Sequence, residues 1–369
     1  MKLRYVFCLI AVLTLPTQVF GAPKKSKAQW TFNENNLKLT LSGELRDRLE
    51  LFQGRDLKPG GDRLFVSQRA RIGMGVNVYN KIKLFIQIQD VRTWGEEKNT
   101  LGDFDANGFD LHQGYIAWQI APMFSLEVGR MEMNYQGQRI IGAVAWTQQA
   151  RSFNVARLKF RNKLVQSDVF YSKLVDHKSA GRTDGNDGHL IGAWMKLNPT
   201  KAFTPSLMYI HERDMAIDKQ RHTIGINLAG KVAGFNYLGE FHYQAGQLGP
   251  NGVSAFLGAI RLGYTLKTPV KMQFMIWTDI VSGDDDATDE TNKSFDTLFA
   301  TNHKFYGFTD LFLNIPKHTG GKGLIDVGGR FKIFPLKKTM VFVDYHMFRF
   351  FTPLNGKSAL GHEIDLIVK

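Results

Sequence analysis

From Leu37 to Leu51 the chain reads L-K-L-T-L-S-G-E-L-R-D-R-L-E-L. Leucine stands at 37, 39, 41, 45, 49 and 51, with Lys38, Thr40, Ser42, Glu44, Arg46, Arg48 and Glu50 between. A period of two gives a strand one apolar face and one charged face. The pattern recurs and predicts strands near 37–52, 63–79, 81–93, 110–120, 123–135, 151–160, 164–174 and 189–197. It continues near 203–212, 221–229, 234–245, 253–266, 270–281, 323–334, 339–349 and 360–369. Tight turns such as Asn80, Ala121-Pro122 and Asn198-Pro199 alternate with longer polar loops. Two faces of opposite character need two solvents. A membrane barrel supplies lipid outside and water inside. The expected fold is all-β: a transmembrane antiparallel up-and-down β-barrel with about 16 strands over residues 37–369, an even number as bacterial barrels require.

The pattern breaks in two places. In 123–135, Phe124, Leu126 and Val128 share one parity, and Met131, Met133 and Tyr135 share the other. A bulge at Gly129 would reconcile them and turn Arg130, Glu132 and Asn134 inward. Further on, Phe305 to Leu311 has strand character, but spanning the membrane there would put the short 334–338 turn on the long-loop side. Residues 282–322 are therefore expected to form one external loop that folds toward the pore.

Composition fixes the compartment. Residues 1–21 have the plan of a secretory signal peptide: Lys2 and Arg4, an apolar run Tyr5 to Leu15, and a cut before Ala22. Residues 22–36 read as a periplasmic linker. The single cysteine, Cys8, lies in the signal, so the mature chain has no thiol for a disulfide or a metal. No later apolar run reaches the roughly 18–20 residues of a membrane helix. The balance is 47 basic to 34 acidic residues, +13, and +11 once Lys2 and Arg4 are removed. Outside the cell this argues against nucleic acid and for a basic lumen that admits anions.

Six runs, in order along nearly the whole chain, resemble the alginate-export family of outer-membrane porins. They are Gln87 to Gly95 (QIQDVRTWG), Leu126 to Gly142 (LEVGRMEMNYQGQRIIG), Arg151 to Leu158 (RSFNVARL), Ser282 to Asp286 (SGDDD), His303 to Phe312 (HKFYGFTDLF) and Leu360 to Leu366 (LGHEIDL). The resemblance implies a Gram-negative outer membrane, an 18-stranded barrel, an Arg/Lys-rich lumen and an elongated anionic substrate. In that family a further hairpin follows the last of these runs. Here the chain stops at Lys369, so the final pair of strands is expected to be missing.

By parity, Arg46, Arg48, Arg69, Arg71, Lys83, Arg157, Lys159, Arg261, Arg330 and Lys332 face inward, and Arg92, Arg130 and Arg139 lie near loop ends. Guanidinium groups take carboxylates in a bidentate grip and stay charged at any working pH. A ladder of them would pass a polyanion. The plainer reading pairs them with inward acids such as Glu44, Glu50, Glu240, Asp279 and Asp344. Asp284, Asp285, Asp286 and Asp289 suit Ca²⁺ or divalent ions shared with lipopolysaccharide, and equally suit a solvated loop. His346 two residues after Asp344, and His211 with Glu212 and Asp214, are the acid–histidine pairs on which a barrel hydrolase would rest. No nucleophile accompanies them at a recognisable spacing. The expected partners are the lipid bilayer, lipopolysaccharide, the outer-membrane assembly machinery, and an anionic saccharide or small anions. No cofactor is required. A general small-solute porin and a barrel hydrolase remain the alternatives.

Overall fold

The computed structural model describes residues 26–32, 36–52, 63–96, 109–175, 187–286 and 288–369. The signal segment 1–21 and the loops 53–62, 97–108 and 176–186 lie outside the described residues. Two compact units divide the chain: residues 135–141 with 161–369, and residues 12–134 with 142–160.

The smaller unit holds β1 (Ser26–Phe32), β2 (Leu37–Phe52), β3 (Arg63–Val78), β4 (Ile82–Thr93), β5 (Phe109–Ala121), β6 (Phe124–Met131) and β7 (Phe153–Arg161). Each is antiparallel to the next. β1 corrects the linker expected there. Ala28, Trp30 and Phe32 alternate with Gln29 and Thr31, a run too short to stand out in sequence, and β1 pairs with Leu37–Gly43 of β2.

The larger unit holds β8 (Val165–Val175), β9 (Gly188–Leu197), β10 (Thr204–Asp214), β11 (Lys219–Val232), β12 (Phe235–Leu248), β13 (Asn251–Leu266), β14 (Met272–Val281), β15 (Thr291–Asn292), β16 (Leu324–Leu336), β17 (Thr339–Leu354) and β18 (Lys357–Val368). β8 to β14 form an antiparallel meander, and β14 continues directly into β16, with Val281 opposite Leu324. Between them lies an excursion whose only strand among the described residues is β15, two residues parallel to Gly252–Val253. Phe305 to Leu311 is not a strand. At the neck of the excursion a Cβ on Gly283 or Gly323 would overlap backbone of the opposite limb, so both limbs depend on glycine there. The sequence reading placed a loop around residues 350–359. Instead Asn355 (φ 51°) and Gly356 (φ 74°) make a two-residue hairpin turn, and both strands run on to meet it.

The faces are inverted relative to a soluble sheet. Leu49, Ile276 and Leu45 are 71%, 62% and 61% exposed, while Asp279 and Asp326 are fully buried. Lipid accepts the first face, since an Arg or Lys at the midplane would cost about 2–4 kcal/mol. The level of the interface is marked by tyrosines. The hydroxyls of Tyr171, Tyr209 and Tyr345 lie 2.9, 2.9 and 2.8 Å from Nδ1 of His189, His222 and His362, all on the apolar face.

The bulge expected at Gly129 does not occur. β6 keeps register with β5 through Tyr115–Gly129 and with β7 through Gly129–Val155. Gly129 has φ 132°, and a Cβ there would strike the Gly114 carbonyl. The parity change has another cause: the strand ends at Met131, and Met131 and Met133 turn into a buried cluster instead of lipid.

Candidate functional site

On the polar face of β2 and β3, four arginines converge beneath the segment 142–150. Arg46 donates from Nε and Nη2 to Gln148 Oε1 (2.8 and 2.5 Å), from Nη1 to the Ala145 carbonyl (2.9 Å) and from Nη2 to the Thr147 carbonyl (2.8 Å). Arg48 donates to the Trp146 carbonyl (2.7 Å), lies 4.5 Å from the centre of the Trp146 ring and pairs with Glu50 at 2.8 Å. Arg69, 3% exposed, pairs with Glu44 and donates to the carbonyls of Thr147 and Gln148. Arg71 reaches Gln89 (2.9 Å), His112 (3.0 Å) and Glu132 (3.4 Å). Three carboxylates therefore face four guanidinium groups, and Arg46 makes no ion pair. Lys83 stands on the same face, exposed, 3.2 Å from the Tyr115 hydroxyl. Arg157 and Lys159 share Glu127.

Arg48, Arg69 and Arg71 are therefore each held by an acid. Arg69 and Arg71 are buried: Arg69 ties β3 to the 142–150 segment, and Arg71 ties it to Gln89, His112 and Glu132. Arg46 and Arg48 keep part of their surface open. Arg92 and Arg130 are not on the polar face at all. Arg92 pairs with Asp90 at 2.7 Å on the parity of exposed Leu84 and Ile86. Arg130, 3.7 Å from Asp110, keeps the parity of exposed Val128 because no bulge reverses it.

In the larger unit the polar face is covered by residues 135–141 and by the excursion. Arg139 was expected near a loop end. It is fully buried, donating to Glu240 (3.0 Å), paired with Asp279 (2.9 Å), and flat against the Phe305 ring at 3.6 Å. Arg261 also holds Asp279 (2.8 Å), and Arg330 holds Asp344. Lys332 lies near Phe342, on the same face. The excursion is gripped from below. Glu363 accepts from Thr309 N (2.8 Å) and Oγ1 (2.5 Å), Asp365 accepts from Phe308 N (3.3 Å), and Asp296 pairs with Arg221 at 2.5 Å. A small cavity lies beside Arg261, Lys304, Arg330, Phe305, Trp277 and His346.

The acidic loop does not converge on a cation position. Lys293 sits between Asp285 (2.6 Å) and Asp289 (2.8 Å), and holds the Asp285 carboxyl below the usual carboxylate range. Asp286 accepts from Thr288, and Asp284 from the Asp286 amide. Among the described residues the ligand atoms of Asp344, His346 and Asp365 do cluster, but Arg330 already takes Asp344 and Asp326 takes His346 Nδ1 (3.0 Å). His211 stacks on His222 at 4.4 Å. Sequence reasoning passed over Gln148, Gln89, His112 and Thr309. No local pattern marks them, because their partners lie 18 to 102 residues away.

The sequence model of the family described as alginate export matches residues 37–313. No curated protein sequence matches the chain. Among solved structures, the outer membrane channel DcaP of Acinetobacter baumannii is 13% identical, covering 92% of this chain and 99% of its own, with a TM-score of 0.50. OccAB4 of Acinetobacter baumannii is 13% identical over 87% of this chain and 84% of its own, with a TM-score of 0.55. These likenesses establish the fold as a transmembrane antiparallel β-barrel, which makes the apolar face the lipid face and the polar face the lumen.

Proposed function

Since the chain belongs to the alginate-export family, we propose that it is a diffusive outer-membrane channel of a Gram-negative cell that favours anions, carboxylated saccharides above all. The observation that carries this reading is the arginine group beside residues 142–150, where four guanidinium groups meet three carboxylates and Arg46 donates to amide and backbone oxygens, not to a carboxylate. A wall charge without a counter-charge attracts anions from solution. Arg46 and Arg48 retain open surface for a passing carboxylate, while Gln148, Glu50 and the carbonyls of 145–147 hold them in place. Passage needs no cofactor and no covalent step. Lipid, lipopolysaccharide and the assembly machinery are the partners of such a barrel.

The test is the reversal potential in a salt gradient. Wild type should show anion preference, and Arg46→Gln with Arg48→Gln should move the potential toward the cation side and weaken block by oligouronates. A wild-type channel that prefers cations would end the proposal. A second reading has its own support: Arg139, Arg261 and Arg330 are all matched by acids, as a general small-solute pore would have them. Anion preference without oligouronate block would favour that reading.

A further inference from the structure

In the larger unit, antiparallel pairing brings the connections 162–164, 198–203, 233–234, 267–271 and 337–338 to one end of the sheet. None of them contains an aspartate or a glutamate. They and their flanks carry Lys163, Lys201, Lys231, Lys267, Lys337 and Lys338, all exposed and none in an ion pair. Lys271, in the same end, lies 4.9 Å over the Phe334 ring. The opposite end is mixed: Asp214, Asp218, Asp285 and Asp289 stand there among Lys219 and Lys293.

A second regularity accompanies the first. Four of the connections set a lysine close to an exposed apolar side chain: Leu164 beside Lys163, Phe203 two residues after Lys201, Val270 beside Lys271, and Leu336 beside Lys337. Their exposures run from 37% to 68%. A lysine stem lies along apolar surface while its ammonium reaches toward water. At the rim of a lipid-facing wall that geometry sets the charge at headgroup depth.

We propose that this rim binds the phosphates of anionic phospholipids in the leaflet facing the short turns. The lysines are spread over five connections, most of them close to exposed apolar side chains. They are point charges without the planar fork that arginine offers to a carboxylated chain. Both features favour a headgroup over a soluble polyanion. The rim would fix the depth of the barrel and gather anionic lipid around it.

The full chain, folded into bilayers of mixed phosphatidylcholine and phosphatidylglycerol, tests this with spin-labelled forms of each lipid. Wild type should hold labelled phosphatidylglycerol about fivefold over phosphatidylcholine, as one engaged lysine would give, and high salt should erase the difference. Lys163→Gln, Lys201→Gln, Lys231→Gln, Lys267→Gln and Lys337→Gln together should bring the ratio near one, while Lys→Arg at the same positions keeps it. If the fivefold glutamine variant does not fold, Lys201→Gln with Lys267→Gln should lower the ratio part of the way. Equal holding of both lipids by wild type, or an unchanged ratio in either glutamine variant, would overturn the proposal. So would loss of polyaspartate or oligouronate binding in the variant with no lipid preference in wild type, which would assign the rim to a soluble polyanion.

Discussion

A variant in which a pair of glycines replaces residues 286–320 conducts several-fold more than the full chain and still inserts as a heat-stable barrel. The wall does not need the excursion. β14 and β16 pair with each other over ten residue pairs, from Met272–Ile333 to Val281–Leu324. The ends to be joined already touch, since Asp284 N donates to the Gly321 carbonyl at 2.8 Å. What the excision removes lies on the lumen face: Phe308 near Phe342, Phe312 against Phe348 at 4.8 Å, and Thr309 on Glu363. Glu363 and Asp365 lose their partners but gain water, so the cost to the wall is small. Planar-bilayer recording decides it. Unchanged conductance would mean that the excursion does not limit flow.

Arg139→Met should destabilise the folded barrel by about 3–5 kcal/mol, the usual cost of removing one member of a buried ion pair. Asp279 keeps Arg261, and Glu240 keeps only the Asn227 amide at 2.8 Å. The stranded charge is therefore Glu240, and Arg139→Met with Glu240→Gln should recover much of the loss. Phe305 and Tyr306 also lose the guanidinium between them, so open-channel noise should rise as the excursion loosens. Urea unfolding from vesicles measures the first effect. If the single and double variants are equally stable, the pair contributes nothing.

The wall was legible because lipid enforces a simple rule. Where Leu37 to Leu51 face hydrocarbon on one side, leucine fills six of the eight positions, and period two shows through even with Asp47 among them, bonded to Gln68. The excursion was legible from turn lengths alone. The pairing of the arginines was not. Parity placed Arg46 and Arg69 on the polar face, but Gln148 and the carbonyls above them come from a segment 76 to 102 residues later, and nothing local announces it. Arg130 was misplaced for a related reason: two apolar parities in 123–135 looked like one strand with a bulge, when the second parity serves a buried cluster after the strand has ended. Ser26–Phe32 was hidden by its shortness, and Asn355-Gly356 gave a turn signal that the surrounding polar residues masked.

The excursion also sets an order of assembly. Wall contacts join neighbouring hairpins. The excursion reaches Glu363 across 54 residues, Arg221 across 75 and Arg139 across 167. Closing such spans is slow, and none of these partners faces the others until the sheet exists. The hairpins therefore form first and the excursion docks last. A newly inserted chain should pass through a wide-open stage, and current recorded during insertion should rise and then fall as Phe305 settles against Arg139.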